Sequence, residues 1–301
     1  MSASANGLSA RQKNGILLDY SGGKGGNPKG AKAALATQRR AGLSPILANM
    51  QSDPLSRVAA LRAHGVVKTY AGATVLAGVD LEVPRGGSFG LLGLNGAGKT
   101  TLIKCALDFC SADSGIVEIF GMSHTSPAAR ARLGFVPERF VPPHYLTCQE
   151  FIEMTSSLAG ESINPERVRR VFDEIGLEHA AIGRPVRQLS KGMTQKLGLA
   201  ACLLVDRDLY ILDEPMSGLD PASRIAVKAV LARLIHEGRT LFFTSHVLAD
   251  VEELCSSIAV LDRGEIRFSG APKELCERYS EPSLERAFLR CIHASEPAIA
   301  A

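Results

Sequence analysis

The apolar residues of this chain follow short, strand-like patterns over much of its length. From about Arg57 apolar and polar residues alternate loosely up to the Pro84-Arg85-Gly86-Gly87 turn, with apolar side chains at Val66, Val67, Tyr70, Val75, Val79, Leu81 and Val83. This alternation predicts the strands of a small antiparallel sheet. Further strands are predicted at 88–92, 115–120, 134–136, 209–212 and 240–244, and those at 134–136 and 209–212 are short apolar runs.

Helix signals are concentrated between the runs at 134–136 and 209–212. Thr147 and Glu150 have the spacing of a capping box. Asn164-Pro165 combines an N-cap residue with a first-turn proline, and Gly176 is the kind of residue at which such a helix ends. We therefore expect helices to dominate residues 147–204.

The remaining elements alternate between strand and helix. A helix predicted from Pro221 to His236 separates the runs at 209–212 and 240–244, which is the βαβ order of a parallel sheet. Arg263-Gly264 predicts a hairpin, and helices follow it. The expected fold class is α/β, with a parallel sheet joined to a small antiparallel one.

Charge is distributed unevenly along the 301 residues. The formal net charge is +3, yet residues 1–60 hold eight Lys/Arg against two Asp/Glu, which leaves 26 against 29 for the rest of the chain. A slightly acidic remainder argues against a dedicated nucleic-acid surface. The contents of 46% hydrophobic and 22% charged residues are ordinary for a globular protein with a proper core.

Residues 1–60 have the composition of a disordered basic extension. They are rich in Ser, Ala, Gly and Lys and lack a sustained apolar period. A bacterial-type cytoplasmic tail is favoured over an organellar transit peptide, which has a loosely similar composition, and translation starting at Met50 is a further alternative. A solvated tail is likewise favoured over a segment that contacts anionic lipid. The glycine-rich stretch 21–26 is interpreted as a linker.

Cysteines and apolar runs restrict the class of protein further. The seven cysteines form no C-x-x-C pair, which argues for a reducing compartment rather than a disulfide framework or a zinc site. We expect Cys105 and Cys202 to fill core space. The best uninterrupted apolar run, Leu197 to Val205, is far shorter than the roughly 20 residues that cross a bilayer.

One glycine-rich stretch carries the most specific chemistry. Residues 93–101 match GxxxxGK[ST] between a predicted strand and a helix, which is the pattern of a phosphate-binding loop. Glycines let backbone N–H groups surround a triphosphate, Lys99 adds a positive charge, and Thr100 offers a hydroxyl to Mg²⁺. The alternative is an ordinary glycine turn. The predicted binding set is Gly93, Asn95, Gly96, Gly98, Lys99, Thr100 and Thr101.

Two acidic residues follow the predicted strand at 209–212. Asp213 and Glu214 are expected at the carboxyl edge of the sheet, where phosphate ligands bind. Asp213 is suited to hold Mg²⁺ through water, and Glu214 to orient or deprotonate the water that attacks a γ-phosphate. Taken alone, the two acids are also consistent with a cap for the next helix.

Further motifs make the chain resemble the nucleotide-binding subunit of an ABC transporter. They are Leu189-Ser190-Lys191-Gly192-Met193, Ser217-Gly218-Leu219-Asp220 and His246, in the family's order relative to the phosphate loop and the acidic strand. The resemblance covers about residues 60–290. It implies a P-loop NTPase core with a parallel sheet, a small antiparallel β-subdomain and a helical signature subdomain.

The implied organisation has two parts. An ATPase domain would occupy residues 61–301, with its helical subdomain at about 140–205. The disordered extension at 1–60 would precede it.

The resemblance implies roles at the ATP and Mg²⁺ site. Tyr70 would stack on adenine, with a core aromatic as the alternative. His246 follows a predicted strand and would sense the γ-phosphate beside Lys99 and Glu214, with a capping histidine as the alternative.

Other implied roles involve a dimer. Ser190 and Gly192 would contact the γ-phosphate held by the opposite protomer, and Asp220 would communicate across the dimer. Ser190 also begins a predicted helix that runs through Leu204, so the helix dipole would favour an anion there. Simple capping by Ser190 is the alternative.

Two positions depart from the common family pattern. Glu138 stands where most members have glutamine, and Mg²⁺ tolerates the carboxylate, so the predicted metal set is Thr100, Asp213 and Glu138. The signature reads Ser-Lys-Gly-Met rather than Ser-Gly-Gly-Gln. Both variants resemble the subgroup that energises exporters of drugs, antibiotics, ions and polysaccharides.

The implied partner is a membrane-spanning permease on a separate chain, which would hold this subunit at the cytoplasmic face of the inner (plasma) membrane. The contact is expected within Arg139–Glu150, whose apolar members are Phe140, Val141, Pro142, Pro143, Tyr145 and Leu146. Packing of these residues within the helical subdomain is the alternative. The transported substrate is not readable, because its site would lie in the partner.

Two other functional classes remain open. A soluble ABC ATPase that acts on ribosomes or DNA would use the same nucleotide chemistry, but the chain has one cassette, no long heptad insertion and no cysteine-rich metal insert. A nucleotide-binding scaffold without turnover conflicts with the presence of Lys99, Asp213, Glu214 and His246. No nucleic-acid partner is expected.

Overall fold

Ten strands in the described part of the chain, residues 58–294 of a computed structural model, form two separate sheets. The strands are β1 Leu61–Tyr70, β2 Ala73–Val83, β3 Ser88–Leu92, β4 Ser114–Ile119, β5 Met122–Ser123, β6 Leu133–Val136, β7 Leu209–Asp213, β8 Thr240–Thr244, β9 Ser257–Asp262 and β10 Glu265–Gly270. The predictions for residues 1–57 lie outside the described residues.

The smaller sheet has the order β2-β1-β4-β5 and is antiparallel throughout. Leu61 of β1 pairs with Val83 on one side and with Ile119 on the other, and all three side chains are buried. Alternate residues of each strand point to opposite faces, so one apolar face joins the core while the other meets solvent. The small antiparallel sheet predicted from alternation is confirmed.

The larger sheet has the order β10-β9-β3-β8-β7-β6. Neighbouring strands from β9 to β6 are parallel, and β10 pairs with β9 as the predicted hairpin. All residues of β3, β7 and β8 are buried, which explains their continuous apolar runs. Because these strands are parallel, the segments that follow β3, β6, β7 and β8 meet at one edge.

Helices cover the sheets and form a separate group after β6. They are α1 Lys99–Ala106, α2 Pro127–Arg130, α3 Cys148–Leu158, α4 Pro165–Glu174, α5 Lys191–Leu204, α6 Pro221–His236, α7 Leu248–Leu254, α8 Pro272–Tyr279 and α9 Leu284–His293. Two 3₁₀ turns, His179–Ala181 and Val186–Gln188, precede α5. Helices α3, α4 and α5 share one apolar cluster, which includes Phe151, Phe172 and Leu197.

The helix starts agree with the sequence signals. Thr147 and Glu150 form the expected capping box at α3. At α4, the Asn164 side chain accepts a hydrogen bond from the backbone N–H of Glu166 at 2.9 Å. These caps satisfy N–H groups that the first helical turn leaves without intrahelical partners.

Differences from the sequence predictions concern short elements. Strand β5 and helices α2 and α7 were not predicted, because elements of two, four and seven residues are too short to show a clear period. Cys105 is buried and Cys202 is half-buried against a core cluster, which confirms their packing role. No helix within residues 58–294 has both the length and the apolar character to cross a membrane.

Candidate functional site

The loop between β3 and α1 contains glycines at positions that have no space for a side chain. A Cβ on Gly93 would lie 2.4 Å from the carbonyl oxygen of Leu261. Gly98 has φ +111°, and its Cβ would lie 2.9 Å from the carbonyl oxygen of Val75. Gly98 is also the N-cap of α1 and supplies no side-chain cap. The first N–H groups of α1 therefore face the loop, which is the condition for binding an anion there.

Lys99 places its ammonium group inside this loop. Its Nζ donates hydrogen bonds to the carbonyl oxygens of Gly93 at 2.7 Å and Leu94 at 3.2 Å. Burial lowers the pKa of Lys99, and the charges of Glu214, Asp213 and Glu138 oppose that shift. The lysine thus braces the loop while it faces three carboxylates across the site.

Asp213 is held by two hydroxyl groups. Thr100 Oγ1 donates to one of its oxygens, Oδ2, at 3.2 Å, and Thr244 Oγ1 donates to the other, Oδ1, at 2.6 Å. The aspartate is only 3% exposed. The backbone N–H of Glu214 donates in turn to Thr244 Oγ1 at 3.0 Å. The ends of β7 and β8 are therefore connected to the start of α1 through side-chain oxygens.

Glu214 and His246 form a second contact at the same edge. Glu214 Oε2 lies 2.7 Å from His246 Nδ1, and the two side chains are 12% and 66% exposed respectively. The backbone of Glu214 has φ +51°, a left-handed conformation that is uncommon for residues other than glycine. Such an unfavourable backbone conformation persists only when surrounding contacts hold it, and it is common at functional sites.

These groups line one cavity of about 740 Å³. Its lining contains ten of the residues predicted from the sequence together with one that was not predicted: Asn95, Gly96, Gly98, Lys99, Thr100, Thr101, Glu138, Asp213, Glu214, His246 and Val75. Val75 lies on β2 and carries no local signal of function, because an apolar strand residue is ordinarily core. Thr244 was also missed, because threonine is common in β-strands and its presence there does not indicate a function.

Tyr70 is not among the residues that line this cavity. It ends β1 and is 45% exposed, with Lys68 Nζ 5.2 Å from its ring centroid. An exposed aromatic ring at a strand end is available for stacking, so the adenine role stays a prediction.

The residues implied for the dimer contact lie apart from the cavity lining. Ser190 is the N-cap of α5, and its Oγ accepts from the backbone N–H of Met193 at 3.2 Å. Asp220 is the N-cap of α6, where its Oδ1 accepts from the N–H of Ser223 at 3.0 Å. A Cβ on Gly192 would lie 3.3 Å from the Gly218 carbonyl oxygen, so the two motifs are neighbours. The two motifs therefore adjoin each other outside the cavity lining.

The cavity is chemically suited to Mg²⁺. Thr100, Asp213 and Glu138 supply hard oxygen donors, the ligands that Mg²⁺ prefers. No group of three or more His, Cys, Asp or Glu side chains suited to a metal occurs within residues 58–294. Mg²⁺ has six ligands in an octahedron, and in phosphate sites most of them are phosphate oxygens and waters. Because only a few protein ligands are then needed, Thr100, Asp213 and Glu138 fit the ion.

Proteins with similar sequences are known. A family model described as ABC transporter matches residues 76–217. An uncharacterized ABC transporter ATP-binding protein of Synechocystis sp. is 40% identical over 200 residues, 65% of this chain and 56% of that relative. The linearmycin resistance ATP-binding protein LnrL of Bacillus subtilis is 32% identical over 222 residues, 72% of this chain and 71% of that protein.

A similar fold is also known. A solved structure of the ATP binding subunit of an ABC transporter matches with a TM-score of 0.71 at 26% identity, over 77% of this chain and 98% of that chain. The present chain spans little more than half the length of the Synechocystis relative, at 56%.

Proposed function

This chain belongs to the ABC transporter family, and we propose that it binds and hydrolyses ATP to power export through a separate membrane-spanning subunit. The observation that carries this proposal is the meeting of Lys99, the Thr100–Asp213 pair and the Glu214–His246 pair in one cavity. Together they offer a phosphate cradle, an oxygen site for a cation and a carboxylate that can act as a base.

The residues divide the work of hydrolysis between them. The N–H groups at the start of α1 and the ammonium of Lys99 hold the phosphates. Thr100, Asp213 and Glu138 would hold Mg²⁺, which would supply positive charge against the developing phosphate charge. Glu214 orients the attacking water and takes its proton, while the hydrogen bond with His246 fixes the direction of the carboxylate.

A dimer completes this scheme. Ser190 at the start of α5 presents a helix N-terminus, and Gly192 in its first turn packs against Gly218, so this surface suits the γ-phosphate of a nucleotide held by a second copy. Asp220 lies at the adjoining helix start. ATP would then close the pair of subunits and hydrolysis would reopen it.

The surface for the membrane-spanning partner is proposed within residues 139–150. Val141 and Tyr145 are 72% and 78% exposed, although both are large and apolar. Phe140 packs edge-on against Phe151, with ring centroids 5.6 Å apart, and it fills the space that Gly198 leaves open. The stretch therefore has both properties: part of it anchors in the helical subdomain, and Val141 with Tyr145 remains available for a partner at the cytoplasmic face of the membrane.

Export as the direction of transport rests on two supports. One is the Ser-Lys-Gly-Met form of the signature together with Glu138. The other is the similarity to LnrL, the linearmycin resistance ATP-binding protein of Bacillus subtilis.

Phosphate release from ATP by the purified full chain with Mg²⁺ tests the enzymatic proposal. Glu214→Gln removes the base but keeps the side-chain size, so we expect turnover to fall at least about 10²-fold while ATP affinity is retained. Glu277→Gln, the same change on an exposed position of α8, is the matched control and retains turnover. Near-normal phosphate release by Glu214→Gln would contradict the assigned role.

Partner identity is tested by purifying the Glu214→Gln form with ATP from detergent-solubilised membranes. A stoichiometric polytopic membrane protein is the expected companion. Recovery with ribosomal or DNA-bound material alone would instead favour the soluble ABC ATPase alternative.

A further inference from the structure

Two thiols lie side by side at the end of the helix that follows the phosphate loop. Cys105 belongs to the last turn of α1, and Cys110 lies in the turn after it. Their Sγ atoms are 3.6 Å apart. The chain reverses between them through Asp108, whose φ is +59°, and the backbone N–H of Cys110 donates to the Lys104 carbonyl oxygen. This tight reversal brings the thiols together although neither was assigned a function.

The segment that carries Cys110 also carries Asp113, which bonds to the residues just before Tyr70, the predicted adenine platform. The nearby Cys110 thiol raises the pKa of Tyr70. Lys68 lies over the ring of Tyr70 and pairs with Asp113 at 2.8 Å. The Thr69 backbone N–H also donates to Asp113 at 2.7 Å. The position of Tyr70 therefore depends on the turn that carries Cys110.

We propose that Cys105 and Cys110 are a reversible oxidation site that closes to a disulfide and thereby weakens ATP binding through Tyr70. The first part concerns the thiols alone. The second part rests on the proposed function, because it takes Tyr70 as the adenine platform.

The oxidant is a low-molecular-weight disulfide such as glutathione disulfide. Cys110 is half-buried and Cys105 is 1% exposed, so Cys110 reacts first. Its thiolate attacks one sulfur of the oxidant, forms a mixed disulfide and releases one glutathione thiolate. Cys105 then attacks the Cys110 sulfur and releases the second glutathione. Two protein thiols are oxidised, one disulfide is reduced to two thiols, and the protons of the cysteines pass to the glutathiones.

Closure requires only a local movement. A disulfide has its sulfur atoms about 2.05 Å apart, so the present separation of 3.6 Å must shorten by roughly 1.5 Å. The movement lengthens the backbone contact from the Cys110 N–H to the Lys104 carbonyl oxygen, which at 3.4 Å is already long. Burial raises the pKa of Cys105 to about 12, so only a small fraction is thiolate near neutral pH. The rate of the second step should therefore rise about tenfold per pH unit from pH 7 to 9.

The effect on nucleotide binding follows from the position of Asp113. Displacement of Cys110 toward Cys105 shifts the segment 110–113, and with it the Asp113 carboxylate that bonds to Lys68 and to the Thr69 N–H. Tyr70 then loses the contacts that orient it at the end of β1. Stacking of a base on an aromatic side chain depends on the position of the ring. ATP affinity should therefore fall about fivefold or more when Tyr70 is displaced.

The test uses the full chain treated with glutathione disulfide and then digested with trypsin. Both thiols lie on the single peptide 105–130, since Lys104 precedes it, Arg130 ends it and no other Lys or Arg intervenes. We expect this peptide to lose the mass of two hydrogen atoms, and the dissociation constant for ATP, titrated with a metal chelator present, to rise about fivefold. Dithiothreitol should reverse both changes.

Two variants make the result specific. Cys110→Ser keeps a hydroxyl near Tyr70 but cannot form the disulfide, so its ATP affinity should not respond to the oxidant. Cys276→Ser removes another half-buried thiol far along the chain, on α8, and should respond as the natural sequence does. Failure of peptide 105–130 to lose two hydrogens, or an unchanged ATP affinity after complete closure, overturns the proposal. Absence of ATP turnover in the reduced protein would instead count against the proposed function.

Discussion

Thr244 joins the Asp213 carboxylate to the backbone of Glu214 through one buried hydroxyl. It donates to Asp213 Oδ1 and accepts from the backbone N–H of Glu214, and its residue exposure is 0%. Water cannot replace these bonds at such a depth. The hydroxyl therefore holds Asp213 in place and stabilises the left-handed turn at Glu214.

Thr244→Val removes this hydroxyl with little change of shape. We expect the free energy of unfolding to fall by about 1–3 kcal/mol, because a buried acceptor and a buried donor lose their partner. We also expect ATP turnover to fall about tenfold or more, since the Asp213 carboxylate and the backbone turn that carries Glu214 lose a bond that orients them. Urea unfolding and phosphate release measure the two effects. Thr244→Ser keeps the hydroxyl, and equal behaviour of the valine and serine variants would contradict the assignment.

Glu138 tests whether a carboxylate is essential where most of the family has an amide. It lines the cavity at the carboxyl end of β6 and faces Lys99 across it. Glu138→Gln keeps an oxygen donor for Mg²⁺, so most ATP turnover should be retained. A loss beyond about tenfold in phosphate release, roughly 1.4 kcal/mol, would show that the charge itself is required.

At the scale of elements, α6 and α7 are joined by a buried aspartate. Asp250 of α7 is 3% exposed and forms ion pairs with Arg224 and Lys228 of α6, the latter at 2.9 Å. Helix α6 begins after Asp220 and α7 begins just after His246. The ion pairs therefore connect the surface proposed for the second protomer with the histidine of the cavity.

Asp250→Asn leaves the two cations of α6 without their buried anion. We expect the free energy of unfolding to fall by about 2 kcal/mol, less than for a fully buried pair because Arg224 and Lys228 retain 29% and 18% side-chain exposure. Glu237→Gln breaks the exposed Arg233–Glu237 pair and should cost below about 0.5 kcal/mol in the same urea titration. Similar effects of the two substitutions would contradict the structural role.

At the scale of the whole molecule, the folded part begins before the first strand. Ala59 and Ala60 are buried, and Ala60 exchanges backbone hydrogen bonds with Val83 and Phe120. A truncation at residue 60 would cut into these contacts. A shortened chain that keeps Ala59 and Ala60 leaves these contacts in place.

Deletion of residues 1–52 tests whether the basic extension takes part in catalysis. Because every residue that lines the cavity lies between Val75 and His246, we expect the rate of phosphate release to stay within about twofold of the full chain. A larger loss at an unchanged unfolding midpoint would assign a catalytic role to the extension.

Much of the site was predictable because its signals are local. The phosphate loop needs glycines, a lysine and a threonine at adjacent positions, and the caps at Thr147 and Asn164 act within three residues. Strands that are buried on both faces leave continuous apolar runs. Asp213 and Glu214 were found because they directly follow such a run.

Contacts between distant segments were not predictable from those signals. Val75 reaches the cavity from β2, Thr244 bonds across β7 and β8, and Asp250 pairs with another helix. Each of these residues has an ordinary local pattern, and its role depends on which side chain tertiary packing places beside it. Local hydrogen bonding and burial depend on neighbouring residues, so the sequence by itself determines them. The partners of a buried polar group depend on how strands and helices far apart in the chain pack together, so only the tertiary structure decides them.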